Sequence, residues 1–170
     1  MELLIKLSFG IILMATSIHS CFNSNELILE KEAVNLEKIN IDGYFYAEKD
    51  FGSFSFFLFK DGTYLYIGGK ENCSSFDCMD EFIRESTRMN HDQSVYKLKY
   101  HWGIYSIDSN KINIKRYQGI GFASYRVQEI NGEIADSTTI ILKRGERYDN
   151  YRLHPYYPKP DSTNNFIDYR

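Results

Sequence analysis

The chain has 170 residues, 43% of them hydrophobic, so it holds enough apolar material for one core and is not a disordered polymer. Its formal net charge is -3, which provides no basic face and argues against nucleic acid as a partner. Aromatic residues reach 16%, chiefly 14 Tyr and 12 Phe, a composition that favours strands over helices.

Residues 1–20 read as a secretion signal. Leu7 to Ile18 is an apolar run with small residues mixed in, shorter than the roughly 20 residues that span a bilayer. Ile18-His19-Ser20-Cys21 follows, an aliphatic residue at −3, a small one at −1 and then cysteine. This resembles the lipobox of bacterial lipoproteins, in which the cysteine is diacylated and becomes the first mature residue. The resemblance implies a lipid on Cys21 and a place in the bacterial cell envelope as a membrane-anchored lipoprotein, facing the outer membrane or the periplasm. A plain cleaved signal and an uncleaved anchor are the alternatives.

Residues 21–40 start polar and continue with mixed charges, as a tether between membrane and domain would. Leu27, Ile28, Val34, Leu36 and Ile39 could instead form a short helix that packs on the domain. From Ile41 strands and turns dominate. Asp61-Gly62 between Phe54–Phe59 and Thr63–Ile67 is a strong hairpin signal, and Gly68-Gly69 ends that hairpin. Residues 73–90 break the pattern: Asp77 can cap a helix with Met79, Phe82 and Ile83 on one face and Glu81, Arg84, Glu85 and Arg88 towards water. Strands resume at Val95. Tyr100–Ile107 and Lys111–Tyr117 turn at Asp108-Ser109-Asn110, and Ile112 and Ile114 alternate with polar neighbours as in a half-buried strand. Phe122–Ile130 is joined through Asn131-Gly132 to Thr138–Lys143, and Tyr148–His154 is the last strand. Residues 155–170 hold all 3 prolines of the chain, which suits an extended tail over the outside or one end of the domain, with disorder as the alternative.

The sequence thus predicts an all-β domain at 41–154, an antiparallel up-and-down barrel of about eight strands with one inserted helix. Four phrases, Asp42-Gly43-Tyr44-Phe45-Tyr46, Phe59-Lys60-Asp61-Gly62-Thr63, Trp102-Gly103-Ile104-Tyr105 and Lys111-Ile112-Asn113-Ile114, resemble the small lipocalin-like lipoproteins of bacteria. That resemblance spans roughly Ile41 to His154. It implies the barrel and no particular activity, because its motifs are turn and strand grammar.

Chemistry is sparse. Cys73 and Cys78 suit a disulfide in an oxidising compartment, whereas a metal or redox site with Asp77, Asp80 or His91 would need a different spacing. The histidines show no paired spacing and there is no nucleophile elbow, so no catalytic residue, metal or cofactor is expected. Trp102, Tyr105, Tyr125 and Tyr151 could line a ligand site in the barrel, or simply fill it. Arg126 and Arg152 stand in strands; an arginine aimed into a barrel must be paired or must meet an acidic group, while an outward one needs neither. Two functions follow: a lipid-anchored, non-catalytic module for a small apolar or amphipathic ligand, or an interaction or inhibitor protein with a filled barrel and an envelope protein as partner. An open interior favours the first and a packed one the second.

Overall fold

The computed structural model describes residues 29–31, 34–49, 52–73, 75–88, 94–121 and 124–168. Residues 1–20, read from sequence as a signal, and Cys21 and His91 lie outside them. In chain order the elements are β1 (Leu29–Glu30), β2 (Gly43–Lys49), β3 (Gly52–Leu58), β4 (Thr63–Lys70), α1 (Phe76–Ser86), β5 (Trp102–Asp108), β6 (Lys111–Gly121), β7 (Ser124–Asp136), β8 (Thr139–Arg144), β9 (Arg147–Pro155) and β10 (Ile167–Asp168). Strands β2 to β9 form a closed antiparallel barrel in sequence order, sealed by β2 against β9 with Tyr44 opposite His154.

Period-two alternation sends one set of side chains inward from every barrel strand. Phe45, Phe56, Tyr64, Tyr105, Ile114, Ile130, Leu142 and Tyr151 belong to this inner core, and each is buried. Phe56 packs on Phe45, Tyr64 and Tyr151 with ring centroids 5.5, 5.2 and 4.9 Å away. Fully burying such a ring contributes on the order of 2–3 kcal/mol. The interior is therefore filled with side chains, as small barrels commonly are.

Strands β2 to β5 are apolar on their outer face as well, which is why Phe54–Phe59 reads as a continuous apolar run. Tyr44, Phe57, Leu65, Trp102 and Ile104 form a second core outside the barrel. Met79 and Ile83 of α1 cover it, as do Leu29 of β1 and Ile167 of β10. The two terminal strands pair in parallel, Leu29 opposite Ile167. The Tyr117 hydroxyl ties both down, accepting from the Leu29 N–H at 3.0 Å and donating to the Phe166 carbonyl at 2.7 Å. Residues 29–31 and 34–40, read from sequence as tether, are thus built into the domain, and the tail packs across its outside.

One end of the barrel is closed. Ile39 and Ile41 are buried in the inner core, Val34 and Leu36 pack beside them, and the Asn40 N–H donates to the Ser137 carbonyl at 2.8 Å. Lys159 of the tail reaches the same end, its Nζ donating to the carbonyls of Ile41 and Leu58 at 2.5 and 2.8 Å. Burial, with Lys60 adding to it and Asp42 opposing, brings the Lys159 pKa down to about 8.

Several local expectations are corrected. Ser75, not Asp77, caps α1: its Oγ accepts from the Cys78 N–H at 3.3 Å, and Asp77 sits in the first turn. The Cys73 and Cys78 sulfurs are bonded, the pairing the sequence favoured, with Cα atoms 5.7 Å apart, which ties Cys73 to the first turn of α1. Residues 95–97 and 99–101 are single turns of tight helix rather than strand, and β4 continues through Gly68-Gly69 to Lys70. Asn131-Gly132 is not a hairpin turn; both residues lie inside β7, opposite Asn113 and Ile112, and the chain turns at Ser137-Thr138. A Cβ on Gly132 would lie 2.3 Å from the Ile141 carbonyl oxygen, so packing requires glycine there, mid-strand.

Candidate functional site

The other end of the barrel is lined by arginine. On β6 the inward positions run Ile112, Ile114, Arg116 and Gln118, and on β7 they run Arg126, Gln128 and Ile130. Arg116 lies opposite Gln128, and Gln118 opposite Arg126. Each arginine donates from Nε to the glutamine across from it, Arg116 to Gln128 Oε1 at 3.0 Å and Arg126 to Gln118 Oε1 at 2.9 Å. The β6–β7 hairpin outruns its neighbours, so Arg126 stands exposed beyond the rim while Arg116 is half-buried within it.

Arg144 closes β8 on the same inward face as Ile140 and Leu142. Its Nη2 donates to the Tyr151 hydroxyl at 2.9 Å. Its Nε forms an ion pair with Asp149 Oδ2 at 3.6 Å, too long for a hydrogen bond, and is buried with no hydrogen-bond partner. Burial alone would depress the Arg144 pKa, but Tyr151, Tyr64, Tyr66 and Asp149 outweigh it and leave it raised. Arg116 lies over the Tyr66 ring, 4.7 Å from its centroid. The floor beneath is aromatic. The Tyr64 hydroxyl is fully buried and meets no acceptor or donor at hydrogen-bond geometry. Burial pushes its pKa up to about 12, although the Arg116 and Arg144 guanidiniums pull it the other way. Burial likewise raises the Tyr151 pKa. These hydroxyls stay protonated at neutral pH, and among the described residues Asp149 is the one carboxylate paired with the mouth arginines.

His101 fills the gap where β4 and β6 part above the short β5. It is buried, bonded through Nδ1 to the Tyr66 carbonyl and stacked at 6.2 Å on the Tyr66 ring. Sequence placed it in a strand; it lies in the turn before β5. Burial, reinforced by the Arg116 charge and opposed by the Tyr66 carbonyl, lowers its pKa.

The residues proposed from sequence are divided by this geometry. Tyr151 and Arg126 belong to the mouth. Tyr105 is deep in the inner core, its hydroxyl donating to the Phe59 carbonyl at 2.7 Å. Trp102 is in the outer core with Nε1 donating to the Val95 carbonyl at 3.2 Å, and Tyr125 lies on the outside under Lys99. Arg152 is exposed on the outer face of β9, opposite Tyr46 and Thr139. These four do not share a site with the other two. Arg116 and Arg144 were not singled out from sequence, yet period two finds both: each continues an inward isoleucine or leucine series by one step.

The mouth can hold an acidic group. It offers more N–H donors than the surrounding acceptors use, at the open end of a low-dielectric interior where charge-assisted bonds are strong. Among the described residues no group of three or more His, Cys, Asp or Glu side chains is placed to hold a metal ion. Comparisons with family models, with curated proteins and with solved structures find no match to this chain.

Proposed function

We propose that this protein is a non-catalytic binding module, tethered to the bacterial envelope through Cys21, that takes the acidic group of a small ligand in the arginine-lined mouth. The observation carrying this reading is the inward pair Arg116 and Arg144 above an aromatic floor, with Arg144 Nε left without a hydrogen bond. Asp149 meets this group only at ion-pair distance; a buried donor that lacks a hydrogen bond costs about 1–3 kcal/mol, and a ligand oxygen can supply one. Because the interior below is packed, an amphipathic ligand keeps its apolar part outside, along the protruding hairpin. The packed interior favours the second reading, an interaction protein, in which the acidic group belongs to an envelope protein.

The test is thermal unfolding and calorimetric titration with sodium decanoate, inorganic phosphate and uncharged decanol. A ligand at a hundred times its Kd stabilises by about 2.7 kcal/mol, a shift of several degrees. Decanoate or phosphate should raise the melting temperature, and the shift should vanish in Arg144→Gln and weaken in Arg126→Gln, whose exposed side chain carries no folding role. Equal stabilisation by decanol, or none by either anion, would sink the reading.

A further inference from the structure

A second cleft, of about 630 Å³, opens outside the barrel, between α1 and the proline-bracketed tail. Its size is that of a small-molecule site. Tyr96, Tyr156 and Tyr157 supply its aromatic walls, and Asp80 and Arg84 its charged ones.

These groups are held in place. The Tyr156 ring stands edge-on to Tyr44 and Phe57, with centroids 5.7 and 5.9 Å away. Tyr96 leans on Trp102 at 5.7 Å. The Tyr44 hydroxyl, fully buried at its base, donates to Asp80 Oδ1 at 3.0 Å and so fixes that carboxylate. His154 approaches the same oxygen at 3.9 Å, which leaves Oδ2 as the acceptor for the cleft. Arg84 follows Asp80 by one helical turn and offers planar donors beside it. Tyr157 is 95% exposed, yet it sits between Tyr156 and Pro158 in a segment that Pro155 and Pro160 also stiffen. A large ring held in water by a stiff backbone loses little entropy on binding.

The charges cancel. Lys159 also borders the cleft, but its ammonium is engaged with the Ile41 and Leu58 carbonyls. The Arg84 side chain is exposed, and ion pairs that water screens give little affinity. What remains is stacking surface with tyrosine hydroxyls at its edges, plus one planar acceptor and one planar donor group. A neutral sugar matches that set: its ring has an apolar C–H face to lie on tyrosine and adjacent hydroxyls to bond a carboxylate and a guanidinium. We infer that the cleft between α1 and the tail binds a neutral saccharide, a single unit or a short oligosaccharide, stacked on Tyr156 and Tyr157 and bonded by Asp80 and Arg84. It is independent of the arginine-lined mouth.

Saturation-transfer NMR on the full chain in detergent tests this, with cellotriose, maltotriose and tri-N-acetylchitotriose as probes. At least one should give a saturable signal. Its affinity should fall about tenfold or more in Tyr157→Ala and in Arg84→Ala, both surface changes that leave folding intact, and should hold in Arg116→Gln. The inference is overturned if no trisaccharide saturates at millimolar concentration, or if binding survives both surface changes. It is equally overturned if free amino acids or a proline-rich peptide compete for the cleft and the sugars do not.

Discussion

At the scale of single residues, the mouth shows how one step of alternation separates a functional side chain from a bland one. Arg116 and Arg144 face inward because Ile114 and Leu142 do, two positions earlier. Arg152, an equally plain strand arginine, is one position out of phase with Tyr151 and lies in water. A strand end hid one of them: the predicted strand stopped at Lys143, one residue before Arg144, whereas Arg116 lay within Lys111–Tyr117 and continued the Ile112 and Ile114 series without being singled out. His101 carries a measurable consequence of the same surroundings. Burial and Arg116 hold its folded pKa below the ordinary 6.5, so the unfolded chain binds the proton first. Its contribution is complete above pH 6.5 and is lost as pH falls from there towards the folded pKa. Urea unfolding of the wild type and of His101→Gln between pH 7.5 and 5 should therefore converge as pH drops. A constant gap between the two would show that His101 titrates alike in both states.

Elements were legible where local chemistry and packing agree. Asp61-Gly62 forms its hairpin with Gly62 at φ 82°, and Ser109 makes the turn between β5 and β6 at φ 59°. The helix was found from the spacing of Met79 and Ile83, which cover the outer core. Strand β7 is where local and tertiary signals conflict. Asn-Gly is the favoured tight turn, but Gly132 is needed for a different reason, the approach of the Ile141 carbonyl and the Leu142 side chain from the adjacent strand β8. A sequence cannot tell a glycine required by positive φ from one required by a neighbour's proximity. The distinction has a test. Gly132→Ala would place Cβ 2.3 Å from the Ile141 oxygen and 2.7 Å from Leu142 Cδ2. Overpacking of this kind costs about 1–3 kcal/mol, so the urea midpoint should fall well below the wild-type value. A turn glycine at that position would instead tolerate Asn with little change, so Gly132→Asn should be as damaging as alanine.

For the whole molecule, the barrel and its strand count follow from alternation and turn spacing, whereas the second core could not be read because it joins segments distant in sequence. Leu29 and Ile167 meet over the same strands, and Tyr117 holds both. Leu29, the first described residue, is held there 8 positions after Cys21. Fully extended, 8 residues reach at most about 28 Å, roughly one domain diameter. A lipid on Cys21 would then keep the domain against the bilayer surface instead of on a long leash, and envelope ligands would meet it there. Expressed with its signal, the wild type should partition with membranes and show an N-terminal fragment heavier than its sequence by a diacylglyceryl group. Cys21→Ser should appear in the soluble fraction. Membrane retention of Cys21→Ser with an unprocessed N-terminus would mean that residues 7–18 themselves hold the protein in the bilayer, and would remove the lipid from the proposed function while leaving the arginine mouth untouched.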